Sequence, residues 1–167
     1  MAQTLYGAIP FKNPVNERNL TYDVIGKNST QFTYGDVCTL STDGLYVATA
    51  TDSVYGVYLG NGITTASNNE TVAMVKPPIV PIDQDTEFLM GTNADMSALT
   101  SVGAYYKLTG TTGAMQVDTN SGAQTTTNRV VMCTKVDPNA IGGTGSGSGL
   151  RQGLFKFVKV FNVKSNT

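Results

Sequence analysis

The sequence contains no histidine and no tryptophan, and it has only two cysteines. Without histidine, the chain lacks the commonest general base, the partner of Ser-His and Cys-His nucleophiles, and the commonest transition-metal ligand. Two isolated cysteines, Cys38 and Cys133, do not supply the ligand set of a structural zinc site. We therefore predict that the protein is not an enzyme and that it uses no metal ion and no cofactor.

Charged residues are also scarce, at 14% of the chain, and the formal net charge is −1. No basic patch is present that could neutralise phosphates, so we predict no nucleic-acid partner. Lys156, Lys159 and Lys164 are interleaved with phenylalanines, a pattern that nucleic-acid-binding strands also show. We interpret this segment as an amphipathic strand with solvated lysines.

Long apolar runs are missing as well. No window approaches the roughly 18 apolar residues of a membrane-spanning helix, and we predict no membrane association. The first residues show no positively charged segment followed by an apolar one, so we expect synthesis in a cytoplasm without secretion. In that compartment we expect Cys38 and Cys133 to be free, buried thiols.

Short extended runs, separated by glycine, proline and asparagine, make up the rest of the 167-residue chain. Threonine and valine are abundant, and these β-branched residues favour strands over helices. No segment has the length and period of an ordinary helix, although residues 95–101 could form a single helical turn. The predicted fold class is all-β, with strands at 20–25, 34–40, 45–49, 54–59, 71–76, 86–90, 104–108, 114–117, 128–134 and 155–159.

One strand pattern occurs twice. Gly35–Leu40 runs into the turn signal Thr42-Asp43-Gly44, and Gly103–Leu108 runs into a turn rich in threonine and glycine. The glycines (103 − 35) and the leucines (108 − 40) are both 68 positions apart. We interpret this pattern as a duplicated β unit, and the alternative is chance similarity between two segments of biased composition.

The duplication predicts the domain organisation. We expect an extended N-terminal arm at residues 1–18, a first β module at 19–78, a proline-rich linker at 79–84 and a second β module at 85–167. Each module has about six short strands at spacings typical of a small barrel or sandwich.

The arm supplies most of the predicted partner-binding residues. Pro10 and Pro14 favour an extended backbone, and the apolar side chains suggest docking on the arm's own domain or on a neighbour. A glycine-rich stretch at residues 142–149 lacks the Gly-Lys-Ser/Thr sequence of a phosphate-binding loop and is interpreted as a surface loop. The predicted contact residues are Leu5, Tyr6, Ile9 and Phe11 in the arm, with Arg151 just beyond the glycine-rich loop.

The densest acidic run is Asp83-Gln84-Asp85-Thr86-Glu87. On a strand its three carboxylates would share one face, as in a calcium site or a carboxylate-dependent glycosidase. We favour a solvated strand edge beside the linker, where charges deter edge-to-edge pairing.

The first repeat resembles a family of small decoration, or cement, proteins of tailed-bacteriophage capsids. Members of that family show a Gly-Asp-Val-Val-x-Leu strand, a turn, an Ala-Thr-x-x-Asp segment and an Ile-Gly-Val strand. The matching segments here are Gly35–Leu40, Ala48–Asp52 and Val54–Val57. They total 15 residues within the span 35–57, and the second repeat keeps the glycine and leucine but not the aspartate.

This resemblance implies a virion structural protein that binds the major capsid protein and stabilises the exterior of a phage head assembled in the host cytoplasm. It also implies self-association, with a homotrimer expected because icosahedral lattices contain many local three-fold positions. A second hypothesis is a phage tail, neck or fibre module that binds a host glycan through Tyr-lined loops, or binds another virion protein.

Overall fold

The computed structural model describes residues 5–12, 20–82, 85–94, 96, 101–136 and 152–161. The all-β prediction is confirmed, since these residues form twelve strands and one turn of π-helix, Asn69–Ala73. No helix among them is long and apolar enough to cross a membrane. The strands are β1 (Ala8–Lys12), β2 (Gln31–Phe32), β3 (Val37–Ser41), β4 (Gly44–Val47), β5 (Gly56–Tyr58), β6 (Ile63–Thr64), β7 (Ile79–Pro81), β8 (Glu87–Gly91), β9 (Tyr105–Thr109), β10 (Gln116–Asp118), β11 (Val131–Val136) and β12 (Gln152–Phe157).

The strands form three antiparallel sheets. A four-stranded sheet has the order β4-β3-β5-β7, a two-stranded sheet pairs β2 with β6, and a six-stranded sheet has the order β1-β8-β12-β11-β9-β10. None of the sheets formed by the described residues closes into a barrel.

Four strands of each large sheet have the same order. The sequence β4-β3-β5-β7 in one sheet corresponds to β10-β9-β11-β12 in the other. Outside the ladders, the Gly35 N–H donates to the Tyr58 carbonyl and the Gly103 N–H donates to the Cys133 carbonyl, both at 2.8 Å. Both glycines have a positive φ, 87° and 83°, a conformation that side-chain-bearing residues rarely adopt. The 68-residue spacing in the sequence therefore corresponds to equivalent positions in two sheets.

Isolated bridges extend this correspondence to the neighbouring segments. Gly26 forms a parallel bridge with Leu45 of β4, and Thr92 forms a parallel bridge with Val117 of β10. Leu45 and Val117 occupy the same register, because Leu40 faces Leu45 and Leu108 faces Val117.

One hydrophobic core joins the two large sheets. The main cluster combines Val37, Val54 and Val57 from the first half with Phe88 and Phe157 from the second. A smaller cluster contains only first-half residues, and Val47 packs against both clusters. The two sheets are thus held together by shared burial.

Several segments differ from the sequence-based prediction, and β2 and β6 are strands that it did not contain. Residues 71–76 are not a strand, because the buried Asn69 side chain holds this segment in the π-turn and the bend after it. Residues 20–25 make only an isolated bridge, Thr21 to Ile79. Within the span predicted to be a linker, Ile79–Pro81 form β7, because Ile79 and Val80 are apolar enough to be buried, at 2% exposure each.

The hairpin predicted at residues 42–44 is present, with a different turn. Ser41 pairs with Gly44, so Thr42 and Asp43 are the two turn residues. Neither has a positive φ, which excludes the type I′ turn that the Asp-Gly pair suggested. The predicted turn at residues 95–101 and the glycine-rich loop lie outside the described residues, apart from Met96 and Ser101.

Candidate partner-binding surfaces

The N-terminal arm is docked as the outermost strand of the six-stranded sheet. β1 pairs antiparallel with β8, and the Ala8 side chain is completely buried. Outside this ladder, the Ala8 N–H donates to the Gly35 carbonyl at 2.7 Å and the Gly7 N–H donates to the Met115 carbonyl at 2.8 Å. A Cβ on Gly7 would lie 2.8 Å from the Gly35 Cα, so this close contact requires glycine.

The predicted contact residues of the arm divide into two groups. Leu5 and Ile9 are half-buried, whereas Tyr6 and Phe11 are 46% and 56% exposed. Pro10 lies two residues after Ala8, on the edge that faces away from β8, and it has no N–H to donate there. Strand addition to this outer edge is therefore disfavoured, and Tyr6 and Phe11 remain as exposed apolar side chains. Arg151 lies outside the described residues.

The first motif of the family pattern connects the two halves through Asp36. This residue is fully buried, and its carboxylate accepts hydrogen bonds from the Thr33 N–H (2.8 Å), the Gly113 N–H (2.8 Å) and the Thr112 hydroxyl. The equivalent position in the second half is Ala104, because Asp36 and Ala104 each follow the equivalent glycines. The aspartate is thus used once, where the first half contacts the second.

The second motif also lies at a contact between the halves. Asp52 accepts hydrogen bonds from the Thr49 N–H at 2.8 Å and the Thr49 hydroxyl at 2.9 Å, which closes a tight turn. On the same turn, the Ala50 carbonyl accepts the Leu108 N–H at 3.0 Å and the Thr51 carbonyl accepts the Lys159 ammonium. Both motifs have a structural role in this chain.

An exposed apolar segment begins within the π-helix and continues past its end. Val72, Met74 and Val75 are 72%, 53% and 43% exposed. The turn is anchored by the buried Asn69, whose amide donates to the Gly26 carbonyl at 2.6 Å and accepts the Val75 N–H at 2.9 Å. Met74 has a φ of 51°, which is unfavourable for a residue other than glycine. We call Val72, Met74 and Val75 the apolar turn.

A cleft of about 460 Å³ lies beside β4. One wall is the chain from β4 into the Thr49–Asp52 turn, and the others come from residues 27–31 and from Gly110–Thr112. Lys27 lies at the cleft with its ammonium 5.4 Å from the Tyr46 ring centroid and 3.6 Å from an Asp43 carboxylate oxygen. The sequence pattern did not predict this cleft, because it depends on which segments lie next to β4.

No group of three or more cysteine, aspartate or glutamate side chains that could hold a metal ion occurs in the described part of the chain. Of the acidic run, Asp83 lies outside the described residues, Asp85 is exposed, and Glu87 faces Lys12 in the backbone register of β1 and β8. Burial raises the pKa of the Cys133 thiol to about 11 and raises that of Cys38 further. Both cysteines are free and buried, as predicted.

Searches against protein-family models, curated proteins and solved structures find no match to this chain.

Proposed function

We propose that the two large sheets belong to two small tandem modules, each approaching a barrel or sandwich, with the arm docked on the second. The equivalent strand order and the equivalent hydrogen bonds of Gly35 and Gly103 support this architecture. The parallel bridges at Leu45 and Val117 support it as well, because each joins the start of a unit to that unit's outermost strand.

The same protein, in our proposal, is a non-catalytic structural component of a phage virion. It binds the major capsid protein on the outside of the head, stabilises the head and acts as a homotrimer. The observation that carries this proposal is the apolar turn, three apolar side chains presented to solvent by a turn that a buried asparagine anchors. An apolar patch held in place is typical of a protein–protein contact.

A rigid body around this patch is consistent with a stabilising role. No buried side-chain nitrogen or oxygen among the described residues lacks a hydrogen-bond partner. The segments that match the decoration-protein pattern hold the two halves together through Asp36 and Ala50. A body that resists deformation transmits load between the capsid subunits that it bridges.

The test is binding to purified phage heads that lack their decoration protein. We expect the protein to sediment with the heads to saturation and to raise the temperature at which they open. Replacing the apolar turn with serines (Val72→Ser, Met74→Ser, Val75→Ser) should weaken binding at least about tenfold, since apolar area is lost from the contact. Tyr22→Ser, which removes an exposed apolar side chain elsewhere, is the matched control.

The measured mass of the free and bound protein tests the trimer. A protein that does not bind heads, or that binds equally well without the apolar turn, contradicts the proposal.

A second candidate is a tail, neck or fibre module that binds host glycans. Three tyrosines, Tyr6, Tyr22 and Tyr34, are about half exposed, and such rings can stack on sugars. Immunogold labelling of virions separates the two candidates, because a decoration protein covers the head and a fibre module does not.

A further inference from the structure

The outer edge of β4 is only half paired. The Leu45 N–H donates to the Ile25 carbonyl at 2.9 Å, and the Leu45 carbonyl accepts the Lys27 N–H at 2.7 Å. Val47 lies two residues further along, so its N–H and carbonyl point to the same outer side. Within the part of the chain that the structure describes, these two groups have no hydrogen-bond partner.

The corresponding edge in the second half is closed. Val117 of β10 corresponds to Leu45, and its carbonyl accepts the Asn93 N–H at 3.2 Å. Thr119 then corresponds to Val47, and its N–H donates to the Asn93 side-chain oxygen at 2.8 Å. The same oxygen accepts the Asn120 N–H at 2.9 Å, so one amide side chain caps the end of this edge.

A network around Asp118 keeps that cap in place. The Asn93 amide donates to the Asp118 carboxylate at 2.8 Å, and the Lys107 ammonium lies 3.4 Å from it. Burial alone would raise the pKa of Asp118, but hydrogen bonds from Ser121, Asn93 and Lys107 outweigh that effect and hold it below its ordinary value. The carboxylate therefore stays ionised and the cap stays formed at neutral pH.

In the first half, Lys27 stands where Asn93 stands in the second, since each directly follows the bridge residue, Gly26 or Thr92. The Lys27 side chain turns to Tyr46 and Asp43, and it does not cap Val47. The open edge at Val47 coincides with the 460 Å³ cleft. At this edge the two halves share a strand register but differ in how the edge ends, since the second half is capped and the first half is open.

We propose that this cleft binds an extended segment of the capsid subunit, which adds to the outer edge of β4 as a further strand. The proposal rests on the proposed function, and it names the contact by which the capsid protein is gripped. An unpaired N–H and carbonyl on one residue are complementary to polypeptide backbone, because a neighbouring strand supplies an acceptor and a donor at that spacing.

The lining of the cleft specifies the segment further. Val47 and Ala50 line the cleft with small apolar side chains, so the segment should carry small or β-branched side chains on the side that faces them. The half-exposed Lys27 ammonium lies 3.6 Å from an Asp43 carboxylate oxygen, and because both side chains are accessible to solvent the pair neutralises its charge only in part. The remaining positive charge favours an acidic residue at the mouth of the cleft.

Two substitutions test the cleft on undecorated heads. Ala50→Trp fills the cleft from an exposed position whose side chain supports no part of the core. Val47→Pro removes the N–H that faces the cleft, while Tyr46 and Ala48 keep the hydrogen bonds to β3. We expect each to weaken binding by about tenfold or more. Ala123→Trp, at an exposed position in the second half, should leave binding within about twofold.

Hydrogen exchange provides a second measurement. The Val47 amide should exchange rapidly in the free protein and slowly on heads, whereas the capped Thr119 amide should be protected in both states. If the wild-type protein does not bind heads, the proposed function fails and this inference fails with it. If the wild type binds but Ala50→Trp binds equally, or the Val47 amide gains no protection, strand addition at β4 is overturned and decoration stands. If Val47→Pro does not fold, Ala50→Trp and the exchange of Val47 decide the question.

Discussion

At the scale of single residues, Asp36 is the residue at the contact between the halves whose substitution we expect to lower stability the most. Its buried carboxylate accepts two N–H groups and one hydroxyl, and it forms no ion pair with the described residues. In Asp36→Asn one amide N–H₂ would face a backbone donor, so we expect a loss of about 3 kcal/mol in the free energy of unfolding. Urea denaturation measures it.

The matched control is Asp52→Asn, since Asp52 makes the same type of turn bonds within the first half only. We expect it to cost about 1 kcal/mol. Equal losses for the two variants would show that the contact with Thr112 and Gly113 contributes nothing.

The buried thiols make stability depend on pH in the alkaline range. Burial raises the pKa of Cys133 from 9.0 to about 11, so the folded state holds its proton where the unfolded state releases it. Stability is therefore unaffected by this group below about pH 9 and falls between about pH 9 and 11. Other groups of the chain also release protons in the alkaline range, so the measured quantity is the difference in free energy of unfolding between wild type and Cys133→Ala. That difference should shrink as the pH rises. A constant difference would contradict the assignment.

At the scale of elements, the π-turn depends on Asn69. Its side chain both donates to the Gly26 carbonyl and accepts the Val75 N–H, which an ionised carboxylate cannot do. Asn69→Asp loses the donor and places a carboxylate against a carbonyl, so we expect a loss of about 2–3 kcal/mol. Asn68→Asp, the same change at the exposed neighbour, should stay within about 0.5 kcal/mol. Thermal unfolding compares them, and similar melting temperatures would argue against the anchor.

This turn also shows where sequence patterns stop being informative. Residues 71–76 contain β-branched and apolar side chains, which predicted a strand. The hydrogen bonds from the preceding Asn69 side chain to the backbone outweigh that strand propensity. By contrast, β3 and β9 each begin two residues after a glycine with a positive φ, and β9 alternates buried and partly buried positions. Local signals of this kind are readable in the chain.

The candidate contact surfaces were predictable only in part. The apolar composition of the arm indicated docking, and the structure divides it into buried and exposed residues. The cleft could not be predicted, because Lys27 and Asn93 become equivalent only once Gly26 and Thr92 are seen to bridge the same register. The sequence itself shows only that a lysine follows Gly26 where an asparagine follows Thr92.

At the scale of the whole molecule, the shared core predicts that the two halves unfold together. The main cluster mixes residues of both halves, and the Val54 N–H and carbonyl bond to Lys159 and Phe161 of the second half at 2.7 Å.

Leu45 belongs to the cluster that only first-half residues form. If the halves were independent, Leu45→Ala would destabilise the first half alone. Because they share a core, we expect slowly exchanging amides of β3 and of β11 to lose the same protection, about 3 kcal/mol. Leu108→Ala, in the second half, should likewise lower the protection of β3 amides in the first half by as much as that of β11 amides. Loss confined to the half that carries the substitution, or two separate calorimetric transitions, would mean that the modules are independent domains joined by the arm and the Asp36 contact. A single cooperative transition would agree with the role that we propose for this protein, which is to carry load on a particle surface.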